Sequence, residues 1–165
     1  MVELTAERLR ELLEYNPDDG EFKWRKSRRG ARPAKAHAGN TRPDGYKRIG
    51  IDGTNHLAHR LAWLYVHGAW PQLDVDHIDG DPGNNRISNL RDVTTSTNVQ
   101  NIKAAKRSNK RSGLLGVSYH ARDSLWRARI TVEGVTMCVG YFKDPDSAHA
   151  AYIEAKRRLH QGNTI

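Results

Sequence analysis

The sequence predicts an α+β protein of short antiparallel strands and local helices, and three observations carry that expectation. Two alternating stretches, "GYKRIGIDG" and "SLWRARITVEG", end in Asp52-Gly53 and Glu133-Gly134, each a two-residue hairpin turn signal. Between them, "HLAHRLAWLYVHG" places Leu57, Leu61, Leu64 and Tyr65 at helical core spacing and stops at Gly68. Near the end, "DPDSAHAAYIEAKRRLHQG" offers Asp144 as a cap, Pro145 at the first helical position, and a buried stripe of Ala148, Ala151, Tyr152, Ala155 and Leu159.

In chain order, residues 1–43 form an N-terminal helix and a basic arm packed on the core. "LTAERLRELLEY" reads as an amphipathic helix capped by Thr5, with Leu9, Leu12 and Leu13 on one side. "NPDDGEFKWR" is a turn followed by a short strand. From Lys23 to Lys35 the basic residues Lys23, Arg25, Lys26, Arg28, Arg29, Arg32 and Lys35 crowd together without an acid, as a phosphate-tracking arm requires. Residues 44–101 form a central unit closed by the helix "TTSTNVQNIKAA", with Thr94 or Thr95 as its cap. Residues 102–113 are a basic linker carrying Lys103, Lys106, Arg107, Lys110 and Arg111. Residues 114–165 then repeat a simple pattern: "LLGVSYHA", "SLWRARITVEG" and "VTMCVGYF" read as three strands, followed by the Asp144-capped helix.

Charge narrows the function. Lys and Arg total 27 against 19 Asp and Glu, a net charge of +8, and the isoelectric point is near 9.8. A surplus of that size favours a polyanionic partner. The single cysteine, Cys138, excludes an intramolecular disulfide and any multi-cysteine zinc site, and suits a reducing compartment. The longest clearly apolar run is the short "LAWLYV", so no membrane span is expected, and "MVELTAERLRELL" lacks the apolar block of a signal peptide. The expectation is an intracellular soluble protein with no membrane partner.

The chemistry concentrates in "DVDHIDGDPGNNRISNLRDVTTSTN", residues 74–98. Hydrolysing a phosphodiester needs a base that accepts a proton near neutral pH, which histidine does, and a cation that neutralises charge on the phosphate. Magnesium keeps several waters, so one carboxylate and one amide oxygen suffice to hold it. Asp76 supplies a hard anionic ligand and His77 the neighbouring base; Asn98 offers a carbonyl oxygen, and Asn89 an amide to fix the loop and the imidazole. Strict alternation would send Asp76 and His77 to opposite faces, so both serve one site only where the strand ends or bends, as Asp79-Gly80 signals. Singly, each of these residues is equally a turn-former, and the stretch reads on that basis as a polar surface loop.

"HLAHRLAWLYVHGAWPQLDVDHIDGDPGNNRISNLRDVTTSTNVQN" resembles the HNH endonucleases of the ββα-metal fold, in the form common in phage and intron-encoded enzymes, over roughly Gly45 to Asn101. The resemblance implies His77 as general base, Asp76 and Asn98 as metal ligands, and Asn89 as the central asparagine. Asn98 stands where the family name has its last histidine, as in the H-N-N subgroup, and an oxygen donor there favours Mg2+ or Mn2+ over zinc. It further implies cutting or nicking of double-stranded DNA with a 5′-phosphate and a 3′-hydroxyl left behind, in the cytoplasm of a bacterial host if the chain is phage-encoded. His59-Arg60 matches the family's "HR", and a guanidinium such as Arg60 suits a phosphate. The competing reading is a non-catalytic DNA-binding regulator that uses the same fold as a scaffold. One motif per chain implies one strand cut per active site, in a monomer or a weak homodimer.

In the last zone, alternation sets Trp126, Ala128, Ile130 and Val132 on one face and Arg127, Arg129 and Thr131 on the other, with Ser118, His120, Thr136 and Cys138 beside the arginines. A basic sheet face of this kind can enter a major groove. The zone resembles the AP2 domain, a three-stranded DNA-binding sheet plus helix. The resemblance rests on "GV" at Gly116-Val117, "WRARI" at Trp126 to Ile130, "VGYF" at Val139 to Phe142, and "SAHAAYIEA" on the helix. Ser118 stands where plant members carry arginine and Cys138 where they carry tryptophan, so sequence preference does not transfer. The expected DNA contacts are Arg60, Arg127, Arg129, Ser118 and His120, with Lys106, Arg107 and Lys110 on the tether.

Overall fold

A computed structural model describes residues 3–26, 36–102, 105, 109–160 and 162. The chain divides into two compact units, residues 1–94 and residues 95–165. Both mix short helices with small antiparallel sheets of two or three strands. Lys106, Arg107 and most of the Lys23 to Lys35 run lie outside the described residues.

In the first unit, helix α1 (Ala6–Leu12) starts at Thr5, whose Oγ1 accepts the backbone N–H of Arg8 at 3.2 Å. The helix stops short of Leu13, which the leucine spacing places on the helical stripe. Leu13 to Asn16 instead form strand β1, paired antiparallel with β2 (Glu21–Trp24). The reason is tertiary: Leu13 and Tyr15 point inward on the two-residue period of a strand and meet Phe22 and Trp24 in the core. Gly20 closes the hairpin at a φ of 75°. A Cβ there would come within 2.6 Å of the backbone at Asn85 and Arg86, so only glycine lets the hairpin lie against that loop.

Strands β3 (Asn40–Thr41), β4 (Lys47–Ile51) and β5 (Thr54–Leu57) make a three-stranded sheet. Asp52 and Gly53 both take positive φ, the type I′ geometry expected of this dipeptide. Leu57 therefore ends a strand rather than opening the helix, and α2 runs from Ala58 to His67. Gly68 terminates α2 in the left-handed conformation, its N–H bonded to the Leu64 carbonyl. Strand β6 (Asp74–His77) pairs with β7 (Leu90–Val93), and a short 3-10 turn (Ile87–Asn89) leads into β7. One apolar core joins Leu9, Leu13, Phe22 and Trp24 to Ile49, Ile51, Leu61, Leu64, Val75 and Leu90. The N-terminal hairpin and the segment carrying the Asp-His pair thus share a single interior.

In the second unit, α3 (Thr95–Gln100) comes first. Strands β8 (Val117–His120), β9 (Leu125–Val132) and β10 (Val135–Phe142) then form an antiparallel sheet with β9 central. Glu133 and Gly134 turn between β9 and β10 with positive φ at both positions. Helix α4 (Pro145–Leu159) is capped by Asp144, whose carboxylate accepts the Ser147 N–H at 2.7 Å. Its Ala148, Tyr152 and Ala155 pack on Val117, Ala128 and Ile130. Residues 109–113 fold onto β8: the Asn109 amide donates to the carbonyls of Leu114 and Val117, and the Arg111 guanidinium covers the Tyr119 ring at 3.6 Å.

Candidate active site

Asp76 and His77 close strand β6, and both are buried, at 6 % and 4 % exposure. A polar pair at that depth must be partnered. Asp76 sits opposite Arg91 in the β6–β7 register, and its Oδ2 accepts two bonds from that guanidinium, 2.9 Å from Nε and 2.7 Å from Nη2.

His77 has Nε2 at 3.2 Å from Oδ1 of Asn85, a side chain only 1 % exposed. The orientation of that amide is fixed by its other end. Nδ2 of Asn85 faces the carbonyl of Gly83 at 3.2 Å, and a carbonyl only accepts, so the oxygen must face the imidazole. His77 Nε2 is then the N–H donor, which in the neutral form of the ring leaves the lone pair on Nδ1. That is the form a general base needs.

Asn89, expected to brace both loop and imidazole, is committed to the loop. Its Oδ1 accepts the Asp79 N–H at 3.0 Å, and its amide donates to Asp79 Oδ1 and to the Asn84 carbonyl, each at 2.9 Å. Asn85, four residues before Asn89, places its side chain at hydrogen-bond distance from His77. Burial pushes the Asp79 carboxyl up, but the Asp81 N–H and the amides of Asn84 and Asn89 outweigh it and hold Asp79 below the usual range.

Two aromatic rings stand beside His77. His59, from α2, meets it edge-on at 5.0 Å between ring centroids, and Tyr46 stands at 5.4 Å from His59 and 5.9 Å from His77. His59 is buried, and its Nδ1 finds no hydrogen-bond partner among the described residues. Burial, with smaller contributions from His77 and Arg60, drives its pKa down to about 3, so the ring is neutral near neutral pH. The signal was present in the sequence: position 59 falls beside Ala58, Leu61 and Ala62 on the buried side of α2.

The backbone of this loop is held from the N-terminal hairpin. The Tyr15 hydroxyl donates to the Asn85 carbonyl at 2.8 Å, and the Arg86 guanidinium donates to the Asp18 carbonyl. Arg60 lies on α2 with its guanidinium 5.8 Å from the Trp70 ring centroid, beside a cleft also lined by Thr5, Arg8, Asp52, Thr54 and His56. Asn98 is on α3, in the second unit. Among the described residues no group of three or more His, Cys, Asp or Glu gathers as metal ligands. The carboxylate of Asp76 is a hard oxygen donor of the kind that could hold a divalent cation with retained waters.

In the second unit, Ser118, Arg127, Arg129, Thr131, Thr136 and Cys138 fall in facing register across the three strands, while Ala128 and Ile130 are buried against α4. A bulge interrupts β10 between Cys138 and Gly140. Alternation from Cys138 would turn Tyr141 toward the helix; the bulge reverses it and sets Tyr141 opposite Arg127 instead. Its ring, half exposed, meets His120 at 5.4 Å. Lys110 is exposed in the turn that precedes this sheet.

Strand β6 thus ends in a buried carboxylate beside an imidazole whose Nε2 is oriented by Asn85. Residues 56–100 match the HNH endonuclease family. It is 36 % identical over 77 residues to Protein 3.8 of Escherichia phage T7, covering 46 % of this chain and 62 % of that one. It is 43 % identical over 63 residues to DNA endonuclease I-HmuI of Bacillus phage SP01, covering 35 % of this chain and 36 % of that enzyme. A solved structure of DNA binding and cleavage by the HNH homing endonuclease I-HmuI aligns with a TM-score of 0.43 at 33 % identity, over 53 % of this chain and 49 % of that one. The chain spans less than two thirds of each relative.

Proposed function

We propose that the protein is a divalent-metal-dependent DNA endonuclease. The observation that carries this reading is the Asn85-oriented imidazole of His77 beside the buried carboxylate of Asp76. Asp76 would hold the metal, with Asn98 as the second protein ligand that the family implies. Bound there, Mg2+ or Mn2+ supplies a Lewis acid that neutralises charge on the phosphate and the leaving oxygen. His77 takes the proton of the attacking water on Nδ1, while Asn85 keeps Nε2–H in place as the ring becomes charged. Asn89 and Asp79 hold the loop shut beneath it. His59 and Tyr46 exclude water from the flank of the imidazole and fix its plane.

DNA would be gathered by the basic surplus of the chain. The AP2-like reading of residues 114–165 assigns the Arg127 and Arg129 face to groove contact, with Ser118, His120 and Lys110 beside it. Double-stranded DNA is the expected partner. No helix among the described residues is long and apolar enough to cross a membrane.

A second reading, a DNA-binding regulator without catalysis, is favoured by one observation: Arg91 already neutralises the carboxylate of Asp76. Incubating supercoiled plasmid with Mg2+ or Mn2+ separates the two. Nicked or linear product from the wild type, absent with His77→Ala at equal DNA binding, is expected. Cleavage persisting in His77→Ala would remove His77 from the role of base, and an inert wild type that binds DNA would favour the regulator.

A further inference from the structure

We infer that Arg91 is a built-in competitor for the cation seat on Asp76, so that the protein loads metal weakly until DNA draws the guanidinium away. The inference rests on the reading of Asp76 as a metal ligand. It assigns Arg91 a positioning role that neither the motif nor the resemblance supplies.

The geometry is specific. Arg91 faces Asp76 directly across the β6–β7 ladder, so its approach is set by strand register rather than by a chance rotamer. Its Nε and Nη2 converge on one oxygen, Oδ2, at 2.9 and 2.7 Å, the short range of charge-assisted bonds. The carboxylate side chain is 7 % exposed and the arginine 26 %, so the pair is shielded from the solvent that would otherwise screen it. A divalent ion approaching that carboxylate meets an oxygen already engaged and a positive charge already in place. Both effects lower cation affinity.

A DNA phosphate changes the balance. A guanidinium binds phosphate oxygens as readily as carboxylate oxygens, and Arg91, the more exposed partner, is the member of the pair able to turn outward. Each phosphate–Arg91 contact therefore favours release of Asp76. By linkage, DNA strengthens metal binding and metal strengthens DNA binding by the same factor. The arrangement keeps a hydrolytic site quiet while no substrate is present.

The test is Mn2+ affinity measured without DNA, from the electron paramagnetic resonance signal of the free ion, on the full-length wild type, Arg91→Met, Arg91→Lys and Asp76→Asn. Arg91→Met keeps the stem and removes the charge; it should bind Mn2+ about tenfold more tightly than wild type, with Arg91→Lys between the two. Adding duplex DNA should tighten Mn2+ binding to wild type and leave Arg91→Met nearly unchanged. Thermal melting gives a second readout if Arg91→Met is less stable: Mn2+ should raise its melting temperature more than that of the wild type. Equal or weaker Mn2+ binding by Arg91→Met, with Asp76→Asn still impaired, would overturn the competitor role and leave Asp76 as ligand. Full Mn2+ binding by Asp76→Asn would overturn the assignment of Asp76 itself, and the inference with it.

Discussion

Replacing Asn85 by alanine is the sharpest way to ask whether the His77 imidazole is held for catalysis. The substitution removes two hydrogen bonds from a fully buried amide, one to His77 Nε2 at 3.2 Å and one to the Gly83 carbonyl at 3.2 Å. At about 0.5–1.5 kcal/mol net for each bond, the folded state should lose about 1–3 kcal/mol. The catalytic share is the first bond alone. Without it, Nε2–H is no longer favoured over the other tautomer, and the ring loses its anchor against Tyr46 and His59. About 1 kcal/mol of lost orientation corresponds to a fall in kcat of roughly five- to tenfold. Single-turnover cleavage at saturating DNA measures kcat, and the nitrogen chemical shifts of the His77 ring report the tautomer directly. The expected result is a lower kcat, an unchanged Kd for DNA and a mixed tautomer. A kcat within twofold of wild type, with Nε2–H still dominant, would refute the orienting role.

Proton uptake at His59 and salt dependence at the sheet face give two more tests. His59 stays neutral in the folded state down to about 3, whereas in the unfolded chain it takes a proton below 6.5, so proton uptake favours unfolding across that window. Wild-type stability should therefore fall as pH drops below 6.5, with a slope approaching about 1.4 kcal/mol per pH unit, and chemical denaturation of His59→Leu should show a flatter profile down to about pH 5. For the second unit, Arg127→Ala and Arg129→Ala should each lower the slope of log affinity against log salt by about one, as read by fluorescence anisotropy on duplex DNA. An unchanged slope in both would move DNA binding off that sheet face.

The residues show why some of this is legible in sequence and some is not. Turn chemistry is local, so Asp52-Gly53, Glu133-Gly134, Gly68 and the Asp144-Pro145 cap are readable from neighbours alone. The end of α1 is not, because Leu13 satisfies both a helical stripe and a strand face, and only its meeting with Trp24 decides between them. The site divides in the same way. Asp76 and His77 are visible as a pair, but "NNRISN" offers three asparagines, and which one reaches the imidazole depends on the three-dimensional path of the loop. Arg91 gains its meaning from strand register and His59 from a helix packed on another element, neither of which is a spacing along the chain. Simple alternation misplaces Tyr141 because a bulge adds one residue to the count.

The contact between Gly20 and the backbone at Asn85 and Arg86, with Tyr15 and Arg86 bonded across it, bears on what could be transplanted. The family match spans residues 56–100, yet the backbone carbonyl of Asn85, whose side chain meets His77, is held by a hairpin far upstream through the Tyr15 hydroxyl. A graft limited to the motif would carry Asp76 and His77 without that brace. Shuffled between proteins, this site would have to travel with its N-terminal hairpin, which makes the transferable unit much longer than its signature.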